Sequence, residues 1–181
     1  MLHPTRIALA LLTLIFASCS GQPTPKASQR EARSLPEALE VETLDWSALA
    51  AALDAPKASY TVVNLWATWC PPCVAELPDL QEAAKTIFED GSEVVTISMD
   101  LSVPAGPIDE AGIRAFFEKR DLVLPVWIFD GDANELVTRL QWGGSLPYTA
   151  VLDENGQVLA GHEGGMTKGE FLELYRSAID Q

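Results

Sequence analysis

Residues 59–67, Ser-Tyr-Thr-Val-Val-Asn-Leu-Trp-Ala, are rich in β-branched and aromatic side chains, and the chain then runs straight into Trp69-Cys70-Pro71-Pro72-Cys73. The first run reads as a strand. Residues 71–89 carry apolar side chains at helical spacing, so a strand becomes a helix at the cysteine pair. Pro71 suits the first helical turn, where its missing N–H costs nothing. Pro78 falls inside the expected helix and should kink it, because it lacks an N–H and crowds the preceding turn.

The alternation continues. Residues 92–99 form a second strand, too apolar to be half-solvated, and a Pro/Gly loop over 102–107 leads to a helix at 109–120. Residues 124–130 read as a strand and residues around 133–141 as a short helix. Tyr-Thr-Ala-Val-Leu-Asp (148–153) and the stretch from Gln157 to Gly164 flank Glu154-Asn155-Gly156, whose Asn-Gly step signals a hairpin. A last helix is expected over 167–179. Order is expected from Val41, with a short helix at 45–53 in which Trp46 anchors the core. The expected class is α/β, a central mixed sheet flanked by helices on both faces.

The ends of the chain are read separately. The 181 residues suffice for one well-cored domain plus an appendage. A formal net charge of −14 argues against a nucleic-acid partner, which needs clustered Lys and Arg. Arg6 precedes an uncharged apolar run of about a dozen residues, too short to span a bilayer but suited to a signal peptide over residues 1–18. The run ends in Phe-Ala-Ser-Cys-Ser, which resembles a bacterial lipobox with Cys19 as the lipidated residue, although Phe16 stands where Leu is usual. Ordinary signal cleavage is the alternative, and either way the domain is exported. Residues 19–40, rich in Pro, Ser, Gln and charge, read as a flexible tether, and residues 41–181 as the domain.

If Cys19 is lipidated, only Cys70 and Cys73 remain, too few for a disulfide-stapled scaffold. At a helix N-terminus, unpaired N–H groups and the helix dipole favour negative charge. Cys70 should therefore have a depressed pKa and act as the attacking thiolate, with Cys73, nearly one turn on, as the resolving thiol. A zinc site would need four ligands, and only these two thiols and His162 lie outside the signal. An inert local disulfide would constrain little of the unfolded chain. No metal or other cofactor is expected.

The segment from Val62 to Pro78 resembles the active-site segment of the thioredoxin-like fold, specifically the TlpA/ResA-like extracytoplasmic thiol–disulfide oxidoreductases. The stretch from Ser145 to Gly164 resembles the family's second landmark. The resemblance implies a cis Pro147 beside the cysteines, where substrate backbone docks; Leu146 is then expected to offer its backbone there and Trp69 to form the rim, while Tyr148 either lies at the docking surface or packs as an aromatic at the start of a strand. It also implies that Pro78 bends the active-site helix. Asn64 stands where thioredoxins carry an aspartate implicated in proton transfer; it cannot titrate, so that role would pass to Glu76, and the alternative is that Asn64 only hydrogen-bonds within its strand. Glu76, three residues after Cys73 and on the same helix face, is expected to exchange the Cys73 proton; a solvated glutamate near the helix start is the alternative. Leu146 and Tyr148 depart from relatives that carry Thr there.

The function implied is reduction of exported protein disulfides, apocytochrome c among them, with a membrane thiol protein as electron donor. Alternatives on the same fold are a disulfide oxidant or isomerase and a peroxiredoxin-like antioxidant. Those of another class are a copper-binding chaperone, which would need a wider cysteine spacing and a placed His, and an inactive surface lipoprotein.

Overall fold

Five consecutive residues of one strand, Val62 to Trp66, are buried, so both faces of that strand are covered. In the computed structural model, which describes residues 32–54, 58–102 and 108–180, they belong to β2 (Tyr60–Trp66) at the centre of a six-stranded sheet. The expected signal segment and Cys19 lie outside the described residues, as do residues 103–107 of the expected loop.

The element order is β1 (Val41–Leu44), α1 (Trp46–Asp54), β2, α2 (Pro71–Glu89), β3 (Glu93–Ser98), α3 (Glu110–Glu118), β4 (Val126–Phe129), α4 (Ala133–Leu140), β5 (Tyr148–Asp153), β6 (Val158–Glu163) and α5 (Lys168–Ile179). The strands lie in the order β1-β4-β3-β2-β5-β6. β1 to β4 pair in parallel, whereas β5 runs antiparallel to β2 and β6 antiparallel to β5. The sheet is therefore mixed, as expected. The register that matters for the site is β2 against β5, in which Asn64 faces Thr149 and Leu65 faces Tyr148.

Local chemistry accounts for the element ends. Asp45 accepts from the Ala48 amide and so caps α1. Thr167 and Glu170 form a capping box at the start of α5. Gly156 takes φ +74°, which closes the β5–β6 turn at the Asn-Gly step. Apolar packing does the rest: the Trp66 ring lies 5.4 and 5.3 Å from the Phe116 and Phe117 rings of α3. Each such large buried side chain contributes about 1.5–3 kcal/mol. Trp46 is half-buried and meets Phe129 edge-on at 6.4 Å, consistent with an anchoring role.

Two features lie outside what the sequence predicts. Val41–Leu44 is an edge strand, too short and too irregular in its burial to read as one in sequence. The described end of the expected tether is also docked: the Arg33 amide donates to the Phe88 carbonyl at 2.8 Å, and Leu35 and Leu39 pack against the core. Arg114 holds this segment further, donating to the carbonyls of Leu39 and Val41.

Candidate active site

Trp66 ends β2, and four residues later Cys70 forms the N-cap of α2 with φ −99° and ψ 100°. Pro71 and Pro72 follow at the first two helical positions and have no N–H to give. The Cys73 amide is thus the first available donor, and it bonds to the Cys70 sulfur at 3.4 Å. The two cysteines are joined as a disulfide. Cys73 is fully buried and Cys70 is 5% exposed, while the neighbouring Trp69 is 42% exposed. Pro71 and Pro72 are exposed as well. The pair therefore presents a narrow sulfur edge within an apolar rim.

Behind Cys73, one turn along α2, lies Glu76, 4% exposed. Its carboxyl accepts from the Asn64 side-chain amide at 2.8 Å and from the Met166 backbone amide at 2.9 Å. Burial pushes its pKa up to about 7, the two hydrogen bonds opposing that rise. A carboxyl titrating near neutrality can hold or release a proton in the working range. Asn64 is fully buried and donates also to the Thr149 hydroxyl at 3.0 Å, across the β2–β5 register. Asn64 thus joins two elements beyond its own strand, and Glu76 is not a solvated surface acid.

A second buried acid holds the approach to Cys70. Asp100 has no exposed surface and accepts from the Thr68 amide (3.1 Å), the Thr68 hydroxyl (2.5 Å) and the Ser98 hydroxyl (2.7 Å). The loop between β2 and α2 is thereby tied to the end of β3.

The Leu146–Pro147 peptide bond is cis, as the resemblance implies. Pro147 is buried and Leu146 half-buried. The β2–β5 register sets both beside the end of β2, from which the chain proceeds to Cys70, and the Pro147 carbonyl accepts from Gly164. Pro78 is exposed within α2, which continues through it. Among the described residues no group of three His, Cys, Asp or Glu side chains is placed to hold a metal ion.

The Redoxin family model matches residues 31–177. The chain belongs to the Redoxin family. Within that family setting it is 33% identical over 118 residues to the thiol-disulfide oxidoreductase ResA of Oceanobacillus iheyensis, covering 65% of this chain and 56% of the relative. It is 32% identical to the thioredoxin-like protein YneN of Bacillus subtilis, covering 63% and 62%. The chain thus spans about 56–62% of the length of these curated relatives. Among solved structures, the pneumococcal exposed lipoprotein thioredoxin from Streptococcus pneumoniae superposes with a TM-score of 0.55 at 28% identity, covering 69% of this chain and 89% of the other. The fold is thioredoxin-like.

Tyr148, weighed for docking or packing, lies inside the domain. Tyr148 is 4% exposed and its hydroxyl donates to the Leu140 carbonyl at 2.7 Å, so its ring packs inside the domain rather than lining a docking surface. Burial, helped by the Glu163 charge, raises its pKa. Sequence reasoning also passed over Asp100, Thr149 and Met166. Thr149 could be found only from the β2–β5 register, and Met166 acts through its backbone, which side-chain identity does not reveal.

Proposed function

We propose that this chain is an exported thiol–disulfide oxidoreductase that reduces protein disulfides through Cys70 and Cys73. The observation that carries the reading is a bonded cysteine pair at the N-terminus of α2 with a buried, near-neutral carboxyl one turn behind it. The names of the ResA relatives, thiol-disulfide oxidoreductase, support it.

In the reducing direction both cysteines begin as thiols. The Cys70 thiolate attacks one sulfur of a substrate disulfide, forming a mixed disulfide and expelling the other substrate sulfur as a thiolate. Cys73 then loses its proton to Glu76 and attacks the Cys70 sulfur, which releases the second substrate thiolate and leaves Cys70–Cys73 oxidised. Two electrons pass to the substrate, and Asn64 and Met166 hold Glu76 in place through the exchange. A thiol protein in the membrane returns two electrons and two protons to the pair. Substrate backbone docks along Leu146 and Pro147, with Trp69 covering the apolar side; Pro71 and Pro72 stiffen the loop and Pro78 shapes the helix behind it.

The clients are disulfide-containing exported proteins, apocytochrome c among them. Residues 1–18 act as a lipoprotein signal and Cys19 as the lipid attachment point, so that the domain faces the periplasm or cell exterior on a membrane anchor. The exposed lipoprotein thioredoxin among the structural relatives supports this reading.

The test is a trap. Reduced Cys73→Ala incubated with a disulfide-containing exported protein should accumulate a Cys70-linked mixed disulfide, and the wild type should reduce insulin with dithiothreitol as electron source. Absence of both rejects the activity. A Cys70–Cys73 potential near ~−270 mV fits a reductase, whereas one near ~−120 mV would make the protein an oxidant.

A further inference from the structure

The loop from Gln141 to Leu146 connects α4 to the cis Pro147 and twice takes a positive φ, which few residues adopt freely. Gln141 is left-handed at φ 54° and Gly144 has φ +96°. Two buried aromatic side chains spend their only hydrogen-bond donors on its ends. The Trp142 indole N–H donates to the Ser145 carbonyl at 2.7 Å, and the Tyr148 hydroxyl donates to the Leu140 carbonyl at 2.7 Å. Leu140 is the last residue of α4, and its carbonyl has no partner within the helix.

The surroundings are shaped to admit this arrangement. A Cβ on Gly161 would lie 2.4 Å from the Tyr148 hydroxyl, so β6 leaves out a side chain where the phenol passes. A Cβ on Gly143 would lie 2.1 Å from the Glu163 carboxylate, which thus lies against the loop from the end of β6. If Tyr148 served packing alone, phenylalanine would do, since burying a hydroxyl is costly unless it is bonded.

We propose that Tyr148 and Trp142 are positioning residues that fix the 141–146 loop, so that Leu146 and Pro147 offer a set backbone edge to a polypeptide substrate. This rests on the thiol–disulfide reading above and adds to it what selects a polypeptide over a small disulfide. On that reading a polypeptide lies along the Leu146–Pro147 backbone as its sulfur meets Cys70, whereas a small disulfide meets Cys70 without using that edge. The latch therefore matters for one class of substrate and not the other.

The test compares wild type, Tyr148→Phe and Trp142→Phe in three measurements: insulin reduction with dithiothreitol, reduction of 2-hydroxyethyl disulfide, and amide hydrogen exchange over residues 141–146. Tyr148→Phe removes one oxygen and keeps the ring. It should lower kcat/KM for insulin about three- to tenfold, the loss of one neutral hydrogen bond, and the loss should fall mainly in KM. Reduction of 2-hydroxyethyl disulfide should stay within about twofold of wild type, and exchange in the loop should rise about tenfold with the rest of the domain unchanged. Trp142→Phe should show the same selective pattern. Insulin kinetics unchanged in Tyr148→Phe, or an equal loss for both substrates, overturns the proposal. A wild-type protein inert toward insulin would instead defeat the underlying activity, and the positioning role with it; the wild-type arm alone distinguishes that result.

Discussion

Asn64 and Glu76 meet in the interior of the domain, the side-chain amide of one donating to the carboxyl of the other at 2.8 Å, directly behind the disulfide-bonded Cys73. A buried amide can hydrogen-bond a carboxyl without adding a charge of its own. An aspartate at position 64 would set two acids against each other in a medium where like charges repel strongly.

That arrangement fixes how stability should vary with pH. Glu76 titrates near its ordinary 4.5 in the unfolded chain and at about 7 in the folded protein. Between those values the folded state holds the extra proton, so stability is greatest below pH 4.5 as far as this group is concerned. It falls as pH rises to about 7, and the full cost, on the order of 3 kcal/mol, is present above that. Urea midpoints of the oxidised protein at pH 4.5, 6 and 8 should show the decline in wild type and a shallower one in Glu76→Gln. Identical slopes in the two proteins would show that Glu76 is not ionising with a raised pKa.

Asp100 gives a second prediction, about the loop that carries the pair. Asp100→Ala leaves the Thr68 amide and hydroxyl and the Ser98 hydroxyl without their acceptor. The expected loss is about 2–4 kcal/mol, read as a lower urea midpoint with unchanged m-value. The β2–α2 loop should show the largest local rise in hydrogen exchange. A loss under about 0.5 kcal/mol, the range of an ordinary surface change, would mean that these bonds are replaced by solvent.

Trp69 predicts the opposite separation. Because nearly half of its surface is already exposed, Trp69→Ala should change stability by no more than about 0.5 kcal/mol. Its loss should nevertheless weaken reduction of insulin by about tenfold, as expected of an aromatic anchor beside the reacting sulfur. Parallel thermal melts and insulin assays check this, and a Trp69→Ala protein that melts several degrees lower would assign the ring to the core instead.

How far the sequence led depends on the range over which each feature is determined. The helix beginning at Cys70 and the placement of Glu76 one turn behind Cys73 are local matters, and both were legible: α2 spans Pro71–Glu89 as the apolar spacing predicts. The Asn-Gly hairpin was legible for the same reason. What escaped depends on pairings between distant segments. β1 exists because Val41–Leu44 lies along β4, some 85 residues on. Tyr148 follows a proline expected at a docking surface, but its side chain alternates inward and finds Leu140, a partner that only the packing of α4 supplies. Asp100 looks like any acid at the end of a strand until Thr68 is brought against it.

The Arg33 contact has a consequence for the polarity of the molecule. Its amide is bonded to Phe88, near the last turn of α2, whereas the disulfide caps the first. At about 1.5 Å per residue the helix separates those points by about 27 Å. The first described residues, Ala32 and Arg33, therefore meet the domain at one pole and the sulfur pair opens at the other.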